Sequence, residues 1–381
     1  MRRVQGEARP GWQAIVEEQG LGFHRHVEQG EGRPYWDESV HYSFTLAEVE
    51  DLERVVEKLH DMCLRAVEHV VKNKRFAEYG IADWLHKPIT KSWERRDPHV
   101  FGRFDLCYDG AGHAKLLEYN ADTPTSLVEA SVIQWFWKQA THPGCDQWNS
   151  IHEALIARWQ KLNLAEVTFA YSRDEESGED VMNVAYMADV AAQAGISTQV
   201  MQIEDIGWET GLQSFVDGQE RVIGTLSKLY PWEWIVTDQF GPSAVEAQAR
   251  TPWVEPLWKM LLSNKALLAI LWELFPDHPN LLPAYLDGPR ELASYVAKPL
   301  LGREGASMRI VTAAETVTTP GVYGAEGYVH QEFWPLPDMD GWRPVLGAWV
   351  VGDEPVGLGI RETRGLITDN TSSFVPHLIE G

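Results

Sequence analysis

Two short alternating runs separated by a glycine-rich turn constrain this chain most: Phe101-Gly-Arg-Phe-Asp-Leu-Cys-Tyr108 and Lys115-Leu-Leu-Glu-Tyr-Asn120, joined through Asp109-Gly-Ala-Gly-His113. Glycines take the positive φ angles of a tight turn without steric penalty, so the segment reads as a β-hairpin. If it folds about Ala111 and Gly112, Arg103 faces Asn120 and Asp105 faces Glu118. Alternation along a strand then places all four side chains on one side. The other side reads Phe104, Leu106 and Tyr108 against Leu117 and Tyr119, an apolar surface suited to a core.

Opposed carboxylates repel unless a cation lies between them. Asp105, Glu118 and Asn120 offer only oxygen ligands, which favours Mg²⁺, Ca²⁺ or Mn²⁺ over zinc, and a bound Mg²⁺ commonly completes its shell with water and substrate phosphate. An arginine beside such a site suits a phosphate or a developing oxyanion. The plainer alternative is a solvated polar face whose acids are neutralised by lysines.

The chain has 381 residues, long for a single core, and at about 150 residues per domain it divides into two or three units. Its net charge of −23 argues against a nucleic-acid backbone as partner and is compatible with a cationic small molecule. Three scattered cysteines with no CxxC spacing argue against a disulfide scaffold and a zinc site. No apolar stretch follows the basic N-terminus, and the most apolar segment, Leu257 to Phe275, contains Lys259, Asn264, Lys265 and Glu273. No membrane partner and a cytoplasmic location are therefore expected.

Apolar residues recur at helical spacing from Leu46 to Asn73, with Thr45 as N-cap. A further helix is predicted over 127–140. Residues 165–171, 178–193 and 197–203 read as strand, helix and strand, a βαβ unit of a parallel sheet. No GxGxxG follows its first strand, so no dinucleotide site is assigned there. A helix is predicted around 254–274, then strands near 295–300, 307–311 and 327–333, and a hairpin of 345–351 with 355–362 turning at Gly352-Asp353. The C-terminal half thus reads as α+β with a mostly antiparallel sheet.

Several further residues carry chemistry. In Val296-Ala-Lys298-Pro-Leu-Leu-Gly302-Arg303-Glu304-Gly305 a strand lysine precedes a glycine-bracketed loop, suited to cover a triphosphate although it is not a Walker A loop; a tight strand connection is the alternative. Lys265 heads or interrupts an apolar helix, where it either meets an anion or snorkels to solvent. Lys228 and Glu233 are expected in an aromatic-rich loop that could gate a pocket. Arg361, beside Gly359 on a strand, allows close ligand approach or makes an ordinary strand-end salt bridge.

Taken in order, these motifs resemble the glutathionylspermidine synthase family of ATP-grasp carbon–nitrogen ligases. The likeness runs from about Trp36 to the C-terminus through Arg103-Phe-Asp105, Leu117-Glu-Tyr-Asn120-Ala-Asp-Thr-Pro-Thr-Ser126, Tyr230-Pro-Trp-Glu233, Ser263-Asn-Lys-Ala-Leu267, Ala297 to Gly305 and Gly359-Ile-Arg361. It implies an α/β and α+β, ATP-grasp-like fold, circularly permuted as in glutathione synthetases because the acidic pair precedes the lysines, with a pre-ATP-grasp Rossmann-like unit. Residues 1–95 would be a mainly helical segment, 96–150 with 250–381 the catalytic region, and 151–249 the βαβ unit. By the same resemblance Asp105, Glu118 and Asn120 would bind Mg²⁺, as two ions, and Lys265, Lys298, Gly305, Gln331 and Arg103 would bind ATP. Arg103, Arg361 and Arg303 would be catalytic.

The implied activity joins a carboxylate, a peptide such as glutathione, to an amine such as a polyamine, through an acyl phosphate, with release of ADP and phosphate. Small-molecule acid and amine are then the partners. The bifunctional relatives carry a cysteine amidase domain ahead of the synthetase; a metal hairpin starting near position 100 leaves no room for one, so amide hydrolysis is not expected. Thr123-Pro-Thr-Ser126 replaces a serine-rich stretch near their peptide substrate, which leaves the acid and the amine open. A non-catalytic ATP-binding scaffold and a phosphotransferase are the competing readings.

Overall fold

The computed structural model describes residues 1–25, 33–173, 178–369 and 371–380. Helix α1 (Leu46–Asn73) begins where the apolar spacing predicts. The Thr45 side chain accepts from the Glu48 backbone N–H and the Glu48 side chain reaches back to the Thr45 N–H, a full capping box. Its buried stripe from Val49 to Val70 packs into a core shared with the hairpin strands β1 (Phe101–Cys107) and β2 (Lys115–Asn120).

Strand β3 (Glu166–Tyr171), helix α2 (Glu179–Gln193) and strand β4 (Ser197–Gln202) form the predicted βαβ unit, with β3 and β4 parallel. Strand β5 (Leu226–Leu229) pairs with β3 on its other edge, also parallel. Lys228 therefore lies on a buried strand, and Glu233 on a short helix over Trp232–Ile235, where a gating loop was expected. The run Leu226 to Leu229 is buried along its whole length, as parallel strands covered on both faces are.

The helix expected around 254–274 is broken. Turns over Leu257–Lys259 and Met260–Ser263 precede helix α3 (Ala266–Leu274). At the break the Asn264 side chain accepts from the Ala266 N–H at 2.9 Å and donates to the Tyr79 carbonyl at 2.9 Å, while the Lys265 N–H donates to the Leu300 carbonyl at 2.9 Å. These tertiary partners satisfy the new helix start, which local spacing cannot reveal.

Strands β6 (Tyr295–Pro299) and β7 (Tyr328–Glu332) pair antiparallel within one five-stranded sheet. Strands β8 (Arg343–Val351), β9 (Glu354–Thr363) and β10 (Ser373–Val375) complete another, in the order β10-β9-β8-β1-β2, antiparallel throughout. The hairpin read from sequence is thus the edge of a sheet finished by chain far downstream.

Its register holds at the chemical end and slips at the turn. Arg103 pairs with Asn120, Phe104 with Tyr119 and Asp105 with Glu118, but Leu106 then pairs with Leu116. Leu117 was expected in the apolar face; the bulge takes it out of the ladder, and Leu116 is the leucine that is fully buried beside Phe104 and Leu106.

Candidate active site

The face of the hairpin away from the core opens on a cavity of about 540 Å³. Arg103, Asp105, Glu118, Asn120, Lys265, Lys298, Arg303, Gly305, Gln331 and Arg361 all line it. They arrive from both hairpin strands, the start of α3, β6 and its following loop, β7 and β9.

On the hairpin, charges alternate. Arg103 donates from Nε to Asp105 Oδ1 at 2.8 Å and from Nη1 to the Thr125 carbonyl at 2.7 Å. Across the ladder Lys265 Nζ sits 3.1 Å from Glu118 Oε2. Between the two acids stands the Asn120 carboxamide, donating at 3.2 Å to Asp105 Oδ2 and at 3.2 Å to Glu118 Oε1. The cations thus lie on the outer flanks of the acidic pair, one to each carboxylate.

Equal chemistry in unequal surroundings drives the two acids apart. Burial acts first on both, favouring the neutral form. For Asp105 it wins over Arg103, assisted by the negative charge of Glu118, and the carboxyl is pushed up. For Glu118 the pull of Lys265 and Lys298 overcomes burial and holds the carboxyl down at about 2. The two carboxylates converging here fit a hard divalent cation, which commonly takes one or two protein carboxylates and finds its other oxygens on water and phosphate; Asn120, whose amide N–H groups face both acids, would join them through Oδ1 once its carboxamide turned over. Among the described residues no group of three His, Cys, Asp or Glu side chains gathers as a metal site, so such an ion would depend on those outside oxygens.

Lys298 explains why the bulge matters. Its buried Nζ donates to the Leu117 carbonyl at 2.8 Å and to Gln331 Oε1 at 2.8 Å. The Gln331 amide nitrogen donates in turn to the Leu116 carbonyl at 3.0 Å. The slipped register therefore supplies acceptors that aim a lysine into the cavity. Burial, with Lys265 reinforcing and Glu118 opposing, lowers the Lys298 ammonium to about 8.

The loop after β6 closes the cavity. Gly305 has φ 70, and a Cβ there would come within 2.7 Å of Ile367 Cγ2, so glycine lets this loop pack on residues 366–368. Lys265 Nζ donates to the Gly302 carbonyl at 2.6 Å. Arg303 donates to Thr123 Oγ1 at 3.1 Å, lies 3.8 Å from Glu233 and 5.7 Å from the Trp234 ring centroid. Arg361 donates to the Asp369 carbonyl and shares with Arg103, Asp105 and Ser126 a smaller pocket of about 30 Å³. Glycine at 347 makes room there, since a Cβ would lie 2.9 Å from Arg103 Cδ.

Three features of this region escaped sequence reasoning. Thr123 engages Arg303. Asp122 and Lys228 form a buried ion pair, and Asp122 also accepts from the Trp232 N–H at 2.9 Å, tying the loop after β2 to the βαβ unit. Tyr35 donates to the fully buried Glu129 at 2.5 Å. Spacing alone could have flagged only Glu129, an acid on the apolar side of a predicted helix.

The fold is a mixed α/β, multi-sheet architecture. Two solved structures share the fold at 12% identity: a glutathione synthetase-like effector from Globodera pallida, TM-score 0.55 with 98% of each chain covered, and a provisionally named γ-glutamylcysteine synthetase from Methylobacillus flagellatus, TM-score 0.50 with 87% of this chain and 88% of the other covered. The chain belongs to the glutathionylspermidine synthase pre-ATP-grasp family, whose model matches residues 3–380. It is 41% identical to a Haemophilus influenzae protein provisionally named an acid–amine ligase, over 99% of both chains. It is 27% identical to the Escherichia coli bifunctional glutathionylspermidine synthetase/amidase over 89% of this chain and 59% of that protein, and 27% identical to the Crithidia fasciculata trypanothione synthetase over 83% and 53%. No helix among the described residues is long and apolar enough to cross a membrane.

Proposed function

We propose that this protein is an ATP-dependent, ADP-forming ligase that joins a small-molecule carboxylate to an amine through an acyl phosphate. One observation carries the reading: residues from five separate segments converge on one cavity with the acids between two sets of cations. Membership of a family that includes synthetases supports it. The order of its motifs, acids before lysines, supports a circularly permuted ATP-grasp arrangement with residues 151–249 as the pre-ATP-grasp unit.

Lys265 and Lys298 hold the phosphate side, and Gly305 and Gln331 shape it, Gln331 by orienting Lys298. Asp105, Glu118 and Asn120 would hold Mg²⁺, which would draw charge from phosphoryl oxygens. Arg103 and Arg361, on the opposite flank, offset charge on the acyl phosphate and on the tetrahedral adduct with the amine. Arg303 caps the site from the glycine-bracketed loop; its hold on Thr123 gives it a second position to leave when phosphate arrives. Peptides such as glutathione are candidate acids and polyamines candidate amines.

The test is ADP release with Mg²⁺-ATP against a matrix of peptides and amines that includes glutathione and spermidine, with product masses. ADP and a condensed mass appearing only when both partners are present is the expected result. ATP binding without turnover would move the protein to a binding role, and a phosphorylated acid unaffected by amine would make it a phosphotransferase.

A further inference from the structure

Behind Arg103 and Arg361 lies a polar chain that the proposed chemistry leaves unused. Ser126 lines the smaller pocket and holds a left-handed backbone, φ 67, a conformation that persists in non-glycine residues only where the surroundings impose it. Its Oγ is 3.3 Å from the Tyr35 hydroxyl oxygen, and Tyr35 donates to Glu129 Oε1 at 2.5 Å. Glu129 is fully buried, and among the described residues its Oε2 has no hydrogen-bond partner. It opens a π-helical stretch, Glu129–Ile133, a distortion that recurs at functional sites. The ionisable groups facing it are Glu179 of α2, Tyr35 and Arg361 of β9; burial first, then Glu179, push its carboxyl up to about 7, against the Tyr35 hydrogen bond and Arg361.

We propose that Ser126, Tyr35 and Glu129 form a relay that removes the proton released when the amine attacks the acyl phosphate. The inference rests on the ligase reading above. As the C–N bond forms, the acyl C–O bond breaks and its electron pair leaves with phosphate. The surplus N–H proton passes to Ser126 Oγ, the Ser126 proton to the Tyr35 oxygen, and the Tyr35 proton to Glu129, which ends neutral. Because burial raises the Glu129 carboxyl only to about 7, part of it is ionised near neutral pH and can accept this proton, which gives the relay its sink. After product release the proton returns along the same path to solvent. Ser126, in the small pocket that shares Arg103, Asp105 and Arg361 with the main cavity, is the member nearest the reacting amine; Tyr35 and Glu129 act through it.

Glu129→Gln and Tyr35→Phe test this, with glutathione and spermidine as the first pair and hydroxylamine as a second nucleophile. Hydroxylamine is uncharged near neutral pH and traps acyl phosphates with little need of a base. Each variant is expected to slow amide formation on the order of 10²-fold near pH 7 and to lose the acid-side fall of the kcat profile, while hydroxamate formation stays within about threefold of wild type. Amide and hydroxamate falling together would assign the pair a structural role and overturn the relay; so would an unchanged amide rate. A wild-type enzyme that forms neither product from any acid in the matrix overturns the ligase reading itself, and the relay with it.

Discussion

On β9, Arg361 and Glu362 are sequence neighbours on opposite faces of one sheet, and the two faces treat charge differently. Glu362 is fully buried and accepts from Arg3 at 2.9 and 2.8 Å and from the Tyr42 hydroxyl at 2.6 Å. Burial alone would raise its carboxyl, but Arg3, Arg33 and Tyr42 together hold it down. On the cavity face Asp105 and Glu118 keep 17% and 27% of their side-chain surface exposed, and most of their contacts are stretched to 3.1–3.2 Å. Both faces hold paired charges at these positions, but the pairing is complete only around Glu362. A carboxylate whose lone pairs are all taken at short distance is committed to the fold, whereas one loosely held beside a cavity has capacity left for a ligand.

The contrast breaks first at Glu362. Replacing it with alanine should cost about 3–5 kcal/mol in urea unfolding, because Arg3 is left buried without its partner, while turnover of the folded fraction stays unchanged. A loss below about 1 kcal/mol would show that this face is no more committed than the other. Asp105→Asn should do the reverse: ADP formation drops on the order of 10²–10³-fold with little change in the unfolding midpoint, and a rate within about threefold of wild type would sink the metal assignment.

A pH series sharpens the comparison more gently. Because the Lys298 ammonium is lowered to about 8, ATP affinity measured by calorimetry should weaken as pH rises through that value. Stability should move the other way: the unfolded chain binds the more protons between about 8 and the ordinary lysine value, so the fold gains with rising pH in that window. Lys298→Met should abolish both trends. The smallest effect is expected at Gly305, where alanine should cost about 1–2 kcal/mol of stability and raise the KM for ATP, since its φ of 70 and the 2.7 Å approach of Ile367 both favour glycine.

Much of the site was legible because its key geometry is local. Opposed positions on a hairpin follow from strand alternation and a glycine turn, so Arg103, Asp105, Glu118 and Asn120 could be placed together from one stretch of chain. The helix at Leu46 was legible through its cap and stripe for the same reason. The bulge at Leu117 was not, because its recompense is a lysine and a glutamine brought in by β6 and β7. Lys228 read as part of a loop since the strand it joins is completed by β3, well upstream. Its pairing with Asp122 and that of Tyr35 with Glu129 join residues far apart in the chain, and no periodicity encodes such partners.

By itself, then, the sequence determined which residue types could meet on one face: period-two alternation, helical stripes and turn chemistry act over a few residues and need no distant partner. Only the tertiary structure decided how those residues are charged and aimed. Asp105 and Glu118 share a ladder rung, yet one carboxyl is driven up and the other down because burial and the placement of Arg103, Lys265 and Lys298 differ around them. Coulomb energy depends on distance and local dielectric, and both are set by the packed chain rather than by order along it.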